Sequence, residues 1–247
     1  MEQSGLPLFF KNPQMLSPER HANAGILQDK GMGFARNTNS IIITTSEFVE
    51  AAKFYPIVFT QNENPAPVVM IGLEQNNYFV DSKGVWKKDA YIPAYARQYP
   101  FVFAETPGSD KLTLCVDEDA EHFTQNVQGE NTPRLFEKDS KPSQFTNSAL
   151  KFCAGVQKEN AFTQGFSQAV QENNLLQPQE MEAKLASGKV IRLNGFQVIN
   201  HEKLLNLSSN KITELHKNGF LPLIYFMILS MSNWQRLIMM AEKAAAH

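Results

Sequence analysis

The feature that most constrains the fold of this chain is a change of pattern near residue 145. Before it, short runs rich in β-branched and aromatic residues alternate with turn residues, as in "SIIITT", "APVVMIGLE" and "KLTLCVDE". After it, apolar residues recur at every third or fourth position, which is typical of amphipathic helices. The pattern predicts an α+β fold with a mainly antiparallel sheet, short helices and a helix-rich C-terminal part.

Two domain organisations fit this change of pattern. Residues 1–145 form a strand-rich part and residues 146–247 a helix-rich part. These are either two subdomains or one continuous α+β domain, because 247 residues suit one large domain or two small ones.

Turn residues predict two hairpins in the first part. "NNYFVDSKGVWK" reads as one hairpin that turns at residues 81–84. "FVFAET" and "KLTLCVDE" read as a second hairpin around residues 107–110. Between them and the strand "SIIITT", the segment "TSEFVEAAKFYP" is predicted to be a helix capped by Ser46.

The second part is predicted to contain three main helices. The first covers "SALKFCAGVQKENAFTQGFSQAVQENNLL" and is expected to break or kink, because Gly155 and Gly165 lower helix propensity. The second, "SSNKITELHKNG", is capped by Ser209 and closed by Gly219. The last covers residues 220–246, and its spacing predicts a core-facing row of Leu223, Phe226, Met227, Ser230, Trp234 and Leu237 or Ile238.

Composition and charge exclude several functional classes. The net charge is −2 and no basic run exceeds two residues, so a nucleic-acid partner is not expected. The apolar run 220–231 is shorter than the roughly 18–20 residues that span a bilayer, so a buried helix is predicted rather than a membrane span. The N-terminus shows no secretory signal pattern, which predicts a soluble, cytoplasmic protein. Cys115 and Cys153 are then expected to be buried free thiols, with a single disulfide as the alternative.

Recognised catalytic and cofactor motifs are missing from the sequence. It has no phosphate loop, no dinucleotide-binding fingerprint and no nucleophile elbow, so no cofactor is expected. The five histidines show no metal-ligand spacing. The densest group of ligand-type residues, "CVDEDAEH" at residues 115–122, is predicted to be a solvated acidic loop rather than a metal site.

The segment "DAYIPAYARQYPF" at residues 89–101 is the strongest candidate for a site. A short helix is predicted from Pro93 to Tyr99, because proline favours a helix start and Pro100 prevents its continuation. In a structural interpretation, at least two of its tyrosines are buried and Arg97 pairs with a carboxylate from residues 117–121 or from Asp89.

In a binding interpretation, the same residues line an aromatic pocket with a guanidinium at its rim, suited to an anionic or peptide-like ligand. The candidate ligand-binding residues are Tyr91, Tyr95, Arg97, Tyr99, Asp117 and Glu118.

Several stretches of the sequence resemble the bacterial SapC family. They are "YFVDSKGVWKKDA", "YIPAYARQYPF", "LCVDEDAEHF", "LNGFQVINHEKLLNL" and "ELHKNGFLPLIYFMILSMSNWQRL", and together they cover most of residues 5–240. The resemblance implies a link to a surface-layer locus, and to a nutrient-uptake or modification pathway. It supplies no catalytic residues.

Two functional hypotheses follow. The first is an accessory or ligand-binding protein without catalytic activity, with a small-molecule, peptide or protein partner. The alternative is an enzyme with an unrecognised active site near Arg97 and the acidic residues 117–121. The absence of an activated nucleophile or a metal signature favours the first.

Overall fold

The computed structural model describes residues 6–105, 112–129 and 132–245. Its strands are β1 (Pro13–Met15), β2 (Gly25–Ile26), β3 (Ser40–Ile42), β4 (Ile57–Thr60), β5 (Pro67–Met70), β6 (Phe101–Glu105), β7 (Leu112–Asp117), β8 (Phe123–Thr124), β9 (Leu176–Lys184) and β10 (Val190–Ile199). Its α-helices are α1 (Pro18–His21), α2 (Phe48–Ala51), α3 (Ala94–Gln98), α4 (Gln144–Glu172), α5 (His201–Leu205), α6 (Ser209–Lys217), α7 (Phe220–Ser230) and α8 (Asn233–Ala245). Two 3-10 helices lie at Gly33–Ala35 and Thr45–Glu47.

The strands form antiparallel sheets, which confirms the predicted α+β class. One sheet has the order β1-β7-β6, a second has the order β3-β5-β4-β10-β9, and a two-stranded sheet pairs β2 with β8. The helices α5 to α8 make up the helical C-terminal part. Within the described ranges, no helix combines the length and the hydropathy that a bilayer span requires.

The five-stranded sheet contains strands from both halves of the chain. Strand β10 pairs with β4 through Phe196 and Thr60, and with β9 along most of its length. Its apolar face packs against α4 and α7, where Phe59, Phe166 and Ile224 are fully buried. Burial of such side chains stabilises the fold by roughly 1.5–3 kcal/mol each.

Helix α4 continues without interruption through both of its glycines, so the predicted break is wrong. Ser143 caps its start by accepting a hydrogen bond from the Thr146 amide. Each glycine costs about 1 kcal/mol relative to alanine in a helix interior. The helix tolerates this because Cys153 and Phe166, on its inner face, are buried in the body of the protein.

The C-terminal helix predicted for residues 220–246 is instead two helices, α7 and α8. They separate at Met231 and Ser232, where the side chains on either side bind strand β4 and its preceding loop. Ser230 accepts a hydrogen bond from the Ile57 amide at 2.9 Å, and Asn233 donates to the Ala52 carbonyl at 2.7 Å. These contacts hold the two helices at different positions on the core.

The core face predicted for these helices is confirmed in part. Met227, Ser230 and Leu237 are buried, and the remaining predicted positions are half-buried: Leu223, Phe226, Trp234 and Ile238.

The first predicted hairpin, at residues 76–87, is present as a single antiparallel bridge between Val80 and Trp86, and in its turn the Gly84 amide donates to the Asp81 carbonyl at 3.0 Å. Two predicted helix caps are wrong. The helix predicted to start at Ser46 is capped by Thr44 instead. Similarly, the N-cap of α6 is Ser208 rather than Ser209.

The second hairpin is confirmed, since β6 and β7 pair from Phe101↔Val116 to Glu105↔Leu112. Its predicted turn at residues 107–110 lies outside the described residues.

Candidate functional site

Helix α3 begins after Pro93 and ends before Tyr99, as the positions of the prolines predict. It is only five residues long, and a helix of this length is not stable alone. Its shape therefore depends on contacts with the rest of the protein. Three of its residues are buried: Ala94, Ala96 and Gln98.

The buried carboxylate of Glu47 holds this segment in place. One of its oxygens, Oε1, accepts hydrogen bonds from the Tyr91 hydroxyl at 3.0 Å and from the Ala94 amide at 2.7 Å. The other, Oε2, accepts from the Thr44 amide at 2.7 Å. Sequence reasoning missed Glu47, although its position three residues after Thr44 is the spacing of a capping box.

Arg97 pairs with none of the described carboxylates, Asp89 and residues 117–121 among them, so this prediction is wrong. Its Nε donates to the Ile92 carbonyl at 3.0 Å and its Nη2 to the Tyr91 hydroxyl at 3.2 Å. The guanidinium lies 5.1 Å from the centroid of the Phe152 ring and is exposed to solvent. Asp117 and Glu118, two of the acidic residues that were expected to meet it, have other partners.

Asp117 is fully buried, which corrects the prediction of a solvated acidic loop at this position. Its carboxylate accepts hydrogen bonds from the amides of Lys11 at 3.0 Å and Asn12 at 2.8 Å, and from the Tyr99 hydroxyl at 3.2 Å. These contacts fasten the N-terminal segment onto strand β7. Burial and the neighbouring charge of Asp117 raise the pKa of Tyr99 well above its usual range.

Glu118 is also occupied, by partners from α1. Arg20 donates to both of its oxygens, at 2.5 and 2.6 Å, and the buried ring of His21 lies 3.1 Å away. The hydrogen bonds from Arg20 are the main cause that lowers the pKa of Glu118 below its usual range. Asp117 and Glu118 thus bind parts of the protein itself.

The three tyrosines have different degrees of burial. Tyr99 is buried, whereas Tyr91 and Tyr95 are half-buried. Tyr95 donates to the Leu8 carbonyl at 3.0 Å. Burial raises the pKa of both Tyr91 and Tyr95 to about 12, so all three hydroxyls stay protonated at neutral pH.

A cleft of about 530 Å³ opens between α3 and the N-terminal half of α4. Of the predicted site residues, Arg97 and Tyr99 line it. Most of its other lining residues are apolar or aromatic: Ile26, Leu27, Met32, Phe34, Phe101, Phe145, Phe152 and Cys153. Arg97 is the one permanently charged side chain among these described lining residues.

His122 contributes a neutral ring to the same cleft. Its Nε2 donates to the Gly31 carbonyl at 2.8 Å, and burial lowers the pKa of the imidazole. Its Nδ1 is buried and has no hydrogen-bond partner in the described part of the chain. The ring packs edge-on against Phe34 and Tyr99. The cleft therefore combines an uncharged wall with one cation.

Across residues 6–105, 112–129 and 132–245, no three His, Cys, Asp or Glu side chains are grouped so that they could hold a metal ion.

The family model described as SapC matches residues 16–237, which is nearly the whole chain. No curated protein and no solved structure matches the chain.

Proposed function

The chain belongs to the SapC family, and from this premise we propose that it is a ligand-binding protein whose cleft takes an anionic ligand with an apolar body. The observation that carries the proposal is the position of Arg97. Its guanidinium lies in the lining of an aromatic cleft, is exposed, and makes no ion pair with any described carboxylate.

The guanidinium is already held in one orientation. It uses two hydrogen bonds, to Ile92 and to Tyr91, and Tyr91 is fixed in turn by Glu47. An arginine has further N–H donors beyond these two, and they suit the oxygens of a carboxylate, phosphate or sulfonate. Because the side chain is ordered before binding, less conformational entropy is lost when the ligand arrives.

The rest of the cleft suits an apolar ligand body. Phe34, Phe145 and Phe152 supply aromatic surface, and His122 is neutral. Moving apolar surface out of water stabilises a complex by about 25 cal/mol per Å² before the costs of association. A volume of about 530 Å³ is within the range of small-ligand pockets.

Two carboxylates of the enzyme alternative are engaged within the protein. Asp117 is saturated by backbone amides and Tyr99, and Glu118 is paired with Arg20. Neither is among the residues that line the cleft. The binding role is therefore the better-supported one.

A link to a surface-layer or nutrient-uptake pathway is part of the same proposal. A ligand-binding role suits both the surface-layer and the nutrient-uptake context that the family resemblance implies. A location in the cytoplasm, also proposed, is supported by the two cysteines, which are buried and free.

The test uses two probes that differ by one charged group. Anilinonaphthalene sulfonate has an aromatic body and an anionic group, and phenylnaphthylamine has the same ring system without the sulfonate. Fluorescence titration of the native protein is expected to show saturable binding of the sulfonate, and weaker binding of the neutral probe. Ala149→Trp, which fills the cleft from α4, is expected to reduce the binding of both.

Equal affinity for the two probes would contradict the role of Arg97. Binding that is insensitive to Ala149→Trp would place the ligand elsewhere. The melting temperature of the variant serves as the control for folding.

A further inference from the structure

The cleft at Arg97 is the first section of a longer groove. A second section of about 150 Å³ shares Gln98 and Cys153 with the first. A third section of about 480 Å³ shares Ile42, Ile43 and Asn160 with the second. All three sections therefore follow one another on the same side of α4.

One face of α4 forms a wall of the groove from end to end. The lining residues recur every three to four positions: Phe145, Ala149, Phe152, Val156, Asn160, Thr163, Ser167 and Gln171. From the first to the last of them the helix extends about 39 Å. An extended polypeptide of roughly 12 residues has this length.

The open edge of strand β6 runs along the opposite wall. Among the strands that the structure describes, β6 is the last of its sheet and pairs only with β7. The Asp117 amide donates to the Pro100 carbonyl, and Val102 is paired with Cys115. In an antiparallel ladder, residues whose backbone groups bond to the neighbouring strand alternate with residues whose backbone groups point away from it. The backbone groups of Phe101 and Phe103 therefore point away from β7, to the open side.

These two residues line successive sections of the groove. Phe101 lines the first section and Phe103 the second. Strand β3 is the edge of the five-stranded sheet, and its Ile42 also lines the second section. The groove thus lies between two sheet edges, with α4 along its length.

The ends of the groove differ in chemistry. The first section has the guanidinium of Arg97 and the aromatic wall. The third section has amide and hydroxyl side chains, which hydrogen-bond peptide groups: Asn64, Asn160, Thr163, Gln164, Ser167, Gln168 and Gln171.

We infer that the ligand of this groove is an extended polypeptide, which adds a strand to the open edge of β6 and places its C-terminal carboxylate at Arg97. The inference rests on the proposed function and names the ligand class of the same site. Main-chain hydrogen bonds to Phe103 supply affinity that depends little on sequence, and the aromatic section selects an apolar side chain near the C-terminus.

The probe is a library of random dodecapeptides with free C-termini, selected on the immobilised full-length chain. A selected peptide is then titrated by fluorescence anisotropy against Phe103→Pro and Phe103→Ala. Both variants lose the same side chain, but only proline also lacks the N–H group, and proline is tolerated on an edge strand. Phe103→Pro is expected to bind at least about tenfold more weakly than Phe103→Ala, and amidation of the peptide C-terminus is expected to weaken binding by a similar factor.

A second pair of peptides keeps the test valid if Phe103→Pro does not fold. Methyl groups are placed on the amide nitrogens of alternate residues, in the two registers. Strand addition predicts that one register abolishes binding and the other preserves it. Equal binding in both registers, equal affinity of the two Phe103 variants, or no selected peptide each overturns the inference.

The proposed function is judged separately by the sulfonate and neutral probes. Those two probes are expected to occupy only the first section. Sulfonate binding without peptide binding would therefore leave the proposed function standing and contradict the inference of a peptide ligand.

Discussion

The hydroxyl of Tyr91 donates a hydrogen bond to Glu47 Oε1 at 3.0 Å and receives one from Arg97 Nη2 at 3.2 Å. A buried carboxylate thus positions an exposed guanidinium through one tyrosine. The arrangement gives a reason for both Tyr91 and Arg97 in the segment "DAYIPAYARQYPF".

Removal of this hydroxyl is expected to affect binding as well as stability. Tyr91→Phe leaves the ring in place and should lower the free energy of unfolding by about 1 kcal/mol. Because Arg97 loses a partner that orients it, binding of anilinonaphthalene sulfonate should weaken about threefold. Urea unfolding and fluorescence titration measure the two effects. Unchanged sulfonate binding would show that Tyr91 does not position Arg97.

Asp117 is predicted to be the most important polar residue for the attachment of the N-terminal segment. Asp117→Asn removes the charge and replaces one of the two accepting oxygens by an NH2 group, which then faces the amide of either Lys11 or Asn12, so the free energy of unfolding should fall by about 3 kcal/mol. Tyr99→Phe, which removes one of the hydrogen bonds, should cost about 1 kcal/mol.

The matched control for Asp117 is Asp139→Asn, because the carboxylate of Asp139 is exposed and, among the described residues, pairs with Lys141 two positions further along the chain. It should leave the unfolding midpoint unchanged. Equal stabilities of the two asparagine variants would contradict the role assigned to Asp117.

Ser230 is expected to couple the C-terminal helices to the five-stranded sheet. Ser230→Ala leaves the buried amide of Ile57 without a partner, which should cost about 1–3 kcal/mol in chemical denaturation. Ser232→Ala is the control, because the exposed Ser232 hydroxyl donates to the Leu229 carbonyl within its own turn, and its effect should stay below about 0.5 kcal/mol. A loss of the same size in both variants would be evidence against the coupling.

Cys153 is predicted to react slowly although it lines the cleft. Burial raises the pKa of its thiol to about 11, so little reactive thiolate is present at pH 8. In a Cys115→Ser background, alkylation by iodoacetamide should be much slower in the native protein than in denaturant, and should accelerate as the pH rises toward 11. Anilinonaphthalene sulfonate should slow it further. Native and denatured rates that agree would show that the thiol is not protected.

Sequence patterns predicted the parts of the fold that depend on local chemistry. Two prolines set the limits of α3, and two strand-like runs on either side of turn residues predicted the β6–β7 hairpin. Each of these features is encoded within a few neighbouring residues. Two of the predicted ligand-binding residues, Arg97 and Tyr99, belong to this locally encoded α3 segment and also line the cleft.

The burial of charged side chains could not be predicted in this way. Asp117 lies in a stretch of acidic residues that is typical of a surface loop, yet it is enclosed by amides more than 100 residues away in the sequence. Glu47 is likewise a buried carboxylate whose partners Tyr91 and Ala94 lie far from it in the sequence. A short sequence window contains no information about such distant partners, so Asp117 and Glu118 were expected near Arg97 although they bind other parts of the protein.

The groove could not be predicted from the sequence either. It exists because α4 stays unbroken through Gly155 and Gly165 and lies beside two sheet edges. The predicted break at these glycines would have divided its wall.

The contribution of Arg97 to binding is the central claim, and one pair of variants tests it most directly. Arg236 is a matched control for Arg97: it is exposed, lies 5.8 Å from the centroid of an aromatic ring, Phe54, and donates to a backbone carbonyl, but it is outside the cleft. Arg97→Gln and Arg236→Gln remove the same charge from similar surroundings.

The decisive measurement is the dissociation constant of anilinonaphthalene sulfonate for these two variants, with phenylnaphthylamine as the uncharged reference. Arg97→Gln is expected to weaken sulfonate binding about tenfold, because one charge-assisted contact is lost, and to change binding of the neutral probe by less than about twofold. Arg236→Gln should change neither. Sulfonate binding that is equally strong in Arg97→Gln and Arg236→Gln would contradict the account.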